Sequence, residues 1–325
     1  MASIKDVAKR ANVGVGTVSR ALNHTGYVSL DTRLKIEKAA QELGYTPNEL
    51  ARNLFRKKTN IIGVVIPDLK HPFFSHFIKQ VEMELYEKGY KTMVCNTVGI
   101  SNREKDYIDM LRRNIVDGII TGAHSLDIQE YLSIDKPIVS LDRYLGDKIP
   151  LIHSDHRHGG RLAAEALLKS GCKNVAQLGG SFMVDSPSNH RHVEFSKIMK
   201  EHKVKVQTVE FGWNMFEYEY FEDVMRKFMD EHPDVDGIFT SDLAALICVS
   251  IAKEKGIKVP EDLKIIGYDG EDFTRLIYPN LTAITQDTDE LAKRCVTTLL
   301  DMLDGEKKID YHQVLEVGFQ QGGTI

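Results

Sequence analysis

The apolar positions along the chain change their period once. Up to about residue 44 they recur every three or four residues; from Asn60 onward they form short continuous runs separated by helical stripes. In the first region Ile4, Val7, Ala8 and Ala11 fall at i, i+3, i+4 and i+7, which predicts a helix. Ser3 is placed to cap it, with Asp6 as the reciprocal capping-box partner. Asn12 ends that helix, and a tight turn leads through Gly14 to a second helix whose inward face is Val18, Ala21 and Leu22. A third helix is predicted over 29–43, capped by Ser29, with Leu30, Leu34, Ala39, Ala40 and Leu43 as its buried stripe and Gly44 as its terminator. Three helices in about 45 residues make a headpiece of marginal stability by itself.

The second helix leaves Val15, Gly16, Thr17, Ser19, Arg20 and Asn23 mostly outward. An outward arginine flanked by small hydroxyl and amide side chains suits DNA, since a guanidinium forks onto guanine and small polar groups hold phosphates. An ordinary amphipathic helix pair with solvated charges is the competing reading. Residues 45–58 then carry a Pro47-Asn48 start signal and a stripe of Leu50, Ala51 and Leu54 less than two turns long. Such a segment is marginal in water. It is either a linker with a transient turn or a hinge helix that orders only against a partner helix and DNA, with Leu54 and Phe55 available as minor-groove wedges.

Beyond Asn60 the apolar runs predict strands over 61–66, 91–95, 118–121, 137–141, 151–154, 175–178, 237–240, 264–268 and 281–285. Helices are predicted between them over 73–88, 103–113, 158–169, 190–200, 217–229, 243–254 and 288–303. Runs that are apolar on both faces, alternating with helices, mean parallel sheets with right-handed crossovers. About 265 residues suffice for two such subdomains, with a first crossing near 154–160. The predicted architecture is an all-α helix-turn-helix headpiece (1–46), a hinge and linker (47–59), and an α/β body of two doubly wound parallel-sheet subdomains (60–325). The first subdomain takes about 60–157 and 287–317, the second about 158–286 and 318–325.

Charge sharpens this division. The net charge of −5 hides a split: residues 1–58 hold 11 Lys and Arg against 5 Asp and Glu, leaving 31 against 42 for the rest. A basic head on an acidic body argues for a separate DNA-binding module. No apolar run approaches the roughly 20 residues of a membrane span, and no apolar signal region follows the first residues. The four cysteines, Cys95, Cys172, Cys248 and Cys295, are scattered among apolar residues with no Cys-x-x-Cys pair, so buried reduced thiols and a cytoplasmic location are expected.

Open parallel sheets bind ligands beyond the carboxyl ends of their strands. Reading those positions gives Asp68 with His71, Phe73 and Phe74; Asp142 with Arg143; Asp155; Ser241 with Asp242; and Asp269. His124, beyond the strand at 118–121, is counted with them. Carboxylates accept from hydroxyls, arginine donates a fork, and aromatic rings cover a sugar's apolar face, so the set suits a polyhydroxy ligand. Any single aspartate has a competing role as a helix cap. Enzymatic readings find no support, because Gly-x-Gly-x-x-Gly after a strand, the phosphate-loop pattern, His-Glu-x-x-His and Gly-x-Ser-x-Gly are all absent. His153, His156 and His158 cluster, but the neighbouring sequence offers no matching ligand set. No metal and no cofactor is therefore expected.

The stretches Ile4-Lys5-Asp6-Val7-Ala8, Thr17-Val18-Ser19-Arg20-Ala21-Leu22-Asn23, Gly44-Tyr45-Thr46-Pro47-Asn48 and Ala51-Arg52-Asn53-Leu54 resemble the LacI/GalR family of bacterial regulators. So do Ile62-Gly63-Val64-Val65-Ile66-Pro67-Asp68, Val116-Asp117-Gly118-Ile119-Ile120, Asp236-Gly237-Ile238-Phe239, Gly267-Tyr268-Asp269 and Leu281-Thr282-Ala283-Ile284, so the likeness spans the chain in order. Within the family, Asn96-Thr97, Gly122-Ala123-His124-Ser125 and the segment 149–155 look most like sucrose-operon repressors of Gram-positive bacteria.

The resemblance implies a homodimer on a near-palindromic operator. Thr17, Ser19 and Asn23 would position the DNA backbone, Arg20 would read a base, and Val15 and Gly16 would stand at the sequence-reading positions facing thymine methyls. Leu54 would be the minor-groove wedge and Ala51 its neighbour. The body would be periplasmic-binding-protein-like, with three crossings and a sugar effector (sucrose, fructose or a phosphosugar) in the cleft. Arg191 and Asp269 would hold hydroxyls and Trp213 would stack, while Ser241-Asp242 departs from the family's more frequent Asn-Asp. The function so implied is a sugar-responsive transcriptional repressor. A carbon-control regulator answering to a phosphoprotein, or a sugar-binding receptor whose head is incidental, are the alternatives.

Overall fold

Ser3 accepts a hydrogen bond from the backbone N–H of Asp6 at 3.4 Å, and the Asp6 carboxylate accepts from the Ser3 backbone N–H at 2.8 Å. The two together form the box that starts α1 (Ile4–Ala11). The computed structural model describes residues 2–23, 26–46, 58–98, 103–123, 128–180, 186–212, 215–305 and 308–325. The predicted hinge stretch 47–57, with Ala51 and Leu54, and the site candidates His124 and Trp213 lie outside the described residues.

Asn12 closes α1 in the left-handed conformation at φ 55°, and α2 (Val15–Leu22) follows after Gly14. The third helix, α3 (Leu30–Glu42), buries a different stripe from the one its leucines suggest. Leu30, Leu34 and Leu43 are 71%, 55% and 36% exposed, whereas Ile36, Ala39 and Ala40 are buried against Val7, Ala8, Val18 and Ala21. Ile36, Ala39 and Ala40 share one face at i, i+3 and i+4, and two positions from Leu34 to Ile36 turn the helix by about 200°, putting that leucine on the far side. Small residues on the inward face let α3 approach α1 and α2 closely.

The headpiece, Met1–Thr59, and the body, Asn60–Ile325, are separate compact units. The body contains two six-stranded sheets. The first runs β11-β5-β4-β3-β1-β2, built from β1 (Ile61–Ile66), β2 (Lys91–Asn96), β3 (Gly118–Thr121), β4 (Ile138–Leu141), β5 (Leu151–Ser154) and β11 (His312–Leu315), and all its strands are parallel. The second runs β12-β10-β9-β8-β6-β7. It is built from β6 (Asn174–Gly179), β7 (Lys205–Glu210), β8 (Gly237–Phe239), β9 (Lys264–Asp269), β10 (Thr282–Gln286) and β12 (Val317–Gln320), with only β12 antiparallel.

Helices α4 (Pro72–Glu87), α5 (Arg103–Arg112), α6 (Ile128–Leu132) and α11 (Thr288–Asp304) belong to the first lobe. Helices α7 (His156–Lys169), α8 (His190–Glu201), α9 (Tyr218–Glu231) and α10 (Asp242–Glu254) belong to the second. The central strands β1, β3, β4, β5 and β6 are buried almost throughout, as their largely apolar sequences require. Three strands had no such run to announce them: β7, β11 and β12 are edge strands, and polar residues alternate along β7 and β11.

The chain passes between the lobes at Asp155, at Asp287 and at Glu316. The first two crossings each begin a helix whose cap is that aspartate: Asp155 accepts from the His158 N–H and Asp287 from the Glu290 N–H, both at 2.9 Å. All four cysteines are buried and free, and burial pushes the Cys95 thiol up to about 12.

Candidate functional site

Between the lobes, at the carboxyl ends of the strands, lies a cavity of about 190 Å³. From the first lobe it receives His71, which precedes α4, with Phe73 and Phe74 from that helix's first turn, and Asp142, just past β4 at φ 53°. From the second come Arg191 on α8, Ser241 at the start of α10, Asp269 at the end of β9 and Gln286 at the end of β10. Phe211, Met215, Phe216 and Phe221 complete the apolar wall. The His71 ring meets Phe74 at 5.5 Å and the edge of Phe216 at 5.8 Å, so aromatic groups of both lobes join across the cleft.

Arg191 is seated by packing. Its guanidinium lies 4.2 Å over the Tyr268 ring, and its backbone passes so close to α7 that a Cβ on Gly160 would fall 2.1 Å from the Arg191 carbonyl oxygen. Asp269 accepts from the Gln286 amide at 2.9 Å, and Asp242 from the Glu271 backbone N–H at 2.9 Å. His71 Nδ1 and Gln286 Oε1 are buried without a hydrogen-bond partner among the described residues, one on each side of the cavity. Orphaned polar atoms in a largely apolar cavity are the usual mark of a ligand's hydroxyls or bound water.

The titratable groups take different charges. Burial pushes the Asp142 carboxyl up, but His156, His153 and Arg191 together outweigh it and hold the group below its ordinary value. Burial and the Asp242 charge push Asp269 well up despite Arg191, and burial takes Asp242 to about 7 against the backbone hydrogen bonds of Glu271 and Gly270. Burial and Arg191 bring His71 down to about 4, so its imidazole is neutral at neutral pH.

His71, Phe73, Phe74, Asp142, Arg191, Ser241 and Asp269 thus come together around one cavity, whereas three expected companions do not line it. Asp68 accepts from the Lys70 N–H two residues on, at 2.9 Å, in a turn. Asp155 caps α7. Arg143 turns away from the cleft: its guanidinium donates to Glu104 at 3.1 Å and to the Ala123 carbonyl at 2.8 Å and lies 5.4 Å over the Tyr131 ring, all inside the first lobe. A buried arginine needs a buried carboxylate, and Glu104 supplies it.

Other lining residues had weaker signals. Gln286 also follows a strand but is not a carboxylate, and Phe211 follows β7, which lacked an apolar run. His156 sits beside the cavity as a bridge. Its Nε2 lies 2.8 Å from Asp142 of one lobe and its Nδ1 2.7 Å from the Tyr268 hydroxyl of the other. Further ties join the lobes. The Ser186 hydroxyl donates to the Asp142 carbonyl at 2.7 Å, His76 Nδ1 meets Glu271 at 2.9 Å, and Lys70 meets Glu217 at 2.5 Å.

On the headpiece, Val15, Gly16 and Arg20 are exposed and Thr17, Ser19 and Asn23 half-buried, forming one polar face opposite buried Val18 and Ala21. Arg20 donates to Thr17 Oγ1 at 3.4 Å and Asn23 to Ser19 Oγ at 3.3 Å.

A helix-turn-helix headpiece followed by a two-lobed body with a cavity between parallel sheets defines a class: DNA-binding regulators built on a binding-protein scaffold. Residues 3–48 match the bacterial regulatory proteins of the lacI family, and residues 164–325 match the periplasmic binding protein-like domain. The sucrose operon repressor of Streptococcus mutans is 37% identical over 332 residues, all of both chains. The ribose operon repressor of Halalkalibacterium halodurans is 37% identical over 309 residues, 95% of this chain and 92% of that one. The crystal structure of the lac repressor dimer bound to operator and the anti-inducer ONPF superposes with a TM-score of 0.86 at 26% identity, over 99% of this chain and 98% of that one. The chain belongs to the LacI family of bacterial regulatory proteins. No helix among the described residues is long and apolar enough to cross a membrane.

Proposed function

We propose that this chain is a sugar-responsive, DNA-binding repressor of a carbohydrate-utilisation operon, acting in the cytoplasm as a homodimer, and that its effector is an uncharged sugar. The observation that carries the choice of effector is the charge of the cavity. Arg191 is the one fixed cation among the described lining residues, Asp142 balances it, and Asp269 is pushed toward its protonated form. A sugar phosphate of charge near −2 would face an ionised carboxylate with one guanidinium to offset it. A neutral polyol can use the unpaired His71 and Gln286 atoms, with the aromatic wall against its ring carbons. Sucrose and its hexose components are the first candidates, in keeping with the sucrose operon repressors among the relatives.

Thr17, Ser19, Arg20 and Asn23 make the operator contacts in this reading, with Val15 and Gly16 against thymine methyls and the 47–59 stretch as a hinge helix in which Ala51 supports a Leu54 wedge. Leu276 and Tyr278, 84% and 96% exposed on the body, supply apolar surface for the partner protomer. A sugar seated on both lobes changes how they close, and a differential affinity of a few kcal/mol between the two states is enough to release DNA, since ~1.4 kcal/mol is tenfold.

Calorimetric titration with sucrose, fructose and ribose beside their phosphates tests the effector, and a gel shift on operon promoter fragments tests the repressor. A free sugar is expected to bind at least tenfold more tightly than its phosphate and to shift the operator complex. Leu54→Ala is expected to weaken operator binding at least tenfold with sugar affinity unchanged. Tighter binding of a phosphosugar would overturn the choice of effector. Absence of promoter preference would overturn the function.

A further inference from the structure

The sequence offers no ligand set beside His153 and His156, but the fold supplies one from elsewhere. Asp142, carried by the end of β4, and His153 and His156, astride the first crossing, place one ligand atom each within 4.8 Å of one another. A fourth group stands beside them, outside that 4.8 Å group, on the last strand of the first lobe: His312 on β11 pairs with β5 in register with Leu151, and its Nε2 lies 2.9 Å from His153 Nε2. His158, the third member of the sequence cluster, is exposed and outside the group.

The orientation of the rings matters more than their proximity. His153 Nδ1 lies 2.7 Å from the Ser154 carbonyl oxygen, which can only accept, so Nδ1 carries the hydrogen and the Nε2 lone pair faces the cluster. His156 Nδ1 is 2.7 Å from the Tyr268 hydroxyl, while its Nε2 points at Asp142 at 2.8 Å. Each inner imidazole thus engages an oxygen outside through Nδ1 and turns Nε2 inward, as metal-bound histidines generally do. The two ring planes lie within 10° of each other with their centroids 6.2 Å apart.

We propose that Asp142, His153, His156 and His312 form a binding site for a zinc-class transition dication, at the place where the chain crosses between the lobes. Three imidazoles and one carboxylate suit a tetrahedral zinc. Bonds of about 2.0–2.1 Å place neighbouring ligand atoms about 3.3 Å apart, so the 2.8 and 2.9 Å contacts open by a few tenths of an ångström on binding while the exposed His312 ring swings toward the other ligands. An ion held through Nε2 leaves the hydrogen of each imidazole on Nδ1, where the Tyr268 hydroxyl can receive that of His156. The bound ion ties β4 and β11 of the first lobe to the start of α7 in the second, and it holds Asp142, which also lines the cavity.

The test uses the full chain. Titration with zinc chloride against a competing chelator is expected to show one tight equivalent per chain, and cobalt(II) in its place is expected to give the strong visible absorption of a four-coordinate ion. His312→Gln, an exposed edge-strand change that leaves the buried packing alone, should weaken zinc binding at least tenfold and abolish the cobalt band, with an unchanged far-UV spectrum. His153→Gln should do the same. Failure of the wild-type chain to hold one equivalent, or an affinity unmoved by His312→Gln, would overturn the site.

Discussion

Both sheets of the body run in one strand order, with the second strand at one edge and the late-arriving strand at the other. Both carry an aspartate just past or at the end of the fourth strand: Asp142 after β4 in the first lobe, and Asp269 closing β9 in the second. Both aspartates line the cavity, and both take positive φ, 53° and 121°. Yet their charges differ. His156 at 2.8 Å, with His153 and Arg191 beyond it, keeps Asp142 ionised against the cost of burial. Asp269 has Asp242 as a neighbour and an amide as its hydrogen-bond donor, and is driven toward the protonated form. A shared topology decides where a carboxyl stands, and the nearest cation or anion decides what it carries.

Arg191 is the group both aspartates feel, so its removal is the severest test of this contrast. Arg191→Ala should cost about a hundredfold or more in effector affinity by calorimetry, because it leaves Asp142 less compensated and strips the cavity of its fixed donor. An effector constant within threefold of wild type would show that the cation does not set the cavity's character.

The next effect separates the two aspartates. Asp142→Asn should destabilise by ~2 kcal/mol at pH 7 in urea, while Asp269→Asn, which imitates a carboxyl already inclined to hold its proton, should stay within ~1 kcal/mol. Their pH dependences have opposite sign. With its folded pKa depressed, Asp142 contributes stability that is present above the unfolded value of about 4 and is lost as pH falls through the folded one. With its folded pKa raised, Asp269 leaves the native state holding a proton the unfolded chain has released, so its contribution is lost as pH rises from about 4 toward the raised value. Asp269→Asn should therefore flatten the fall in stability as pH rises above about 4, and Asp142→Asn should leave that fall in place. Equal slopes in both variants would break the comparison. Smallest of all, Lys70→Ala at the exposed Lys70–Glu217 contact between the lobes should change effector affinity by about threefold or less.

Much of this could be read in the residues because the physics is local. The central strands announce themselves by runs apolar on both faces, and looking past their carboxyl ends leads to Asp142, Ser241 and Asp269 at the cavity. The same rule could not distinguish a ligand-facing carboxylate from a cap or a turn, which is what Asp155 and Asp68 turn out to make. Arg143 was unreadable for another reason: its partner Glu104 stands 39 positions away. The edge strands β7 and β11 hid because one exposed face admits polar residues. With β7 went Phe211, and with β11 went the nearness of His312 to His153, which only strand pairing creates. In α3 the leucines drew attention to the wrong face, since a 3.6-residue period admits more than one stripe and Ile36 with two alanines packs more closely.

The three passages between lobes also govern the order in which the molecule can be completed. Helix α11 covers the first sheet and is made only after β10 of the second, and the outermost strands β11 and β12 are separated by Glu316 alone. During synthesis, therefore, neither half is complete before the other: a nascent polypeptide stopped anywhere short of residue 312 lacks the last strand of both sheets. The two sheets gain their last strands within a few amino acids of each other, after every residue that lines the cavity, Gln286 included, has been made.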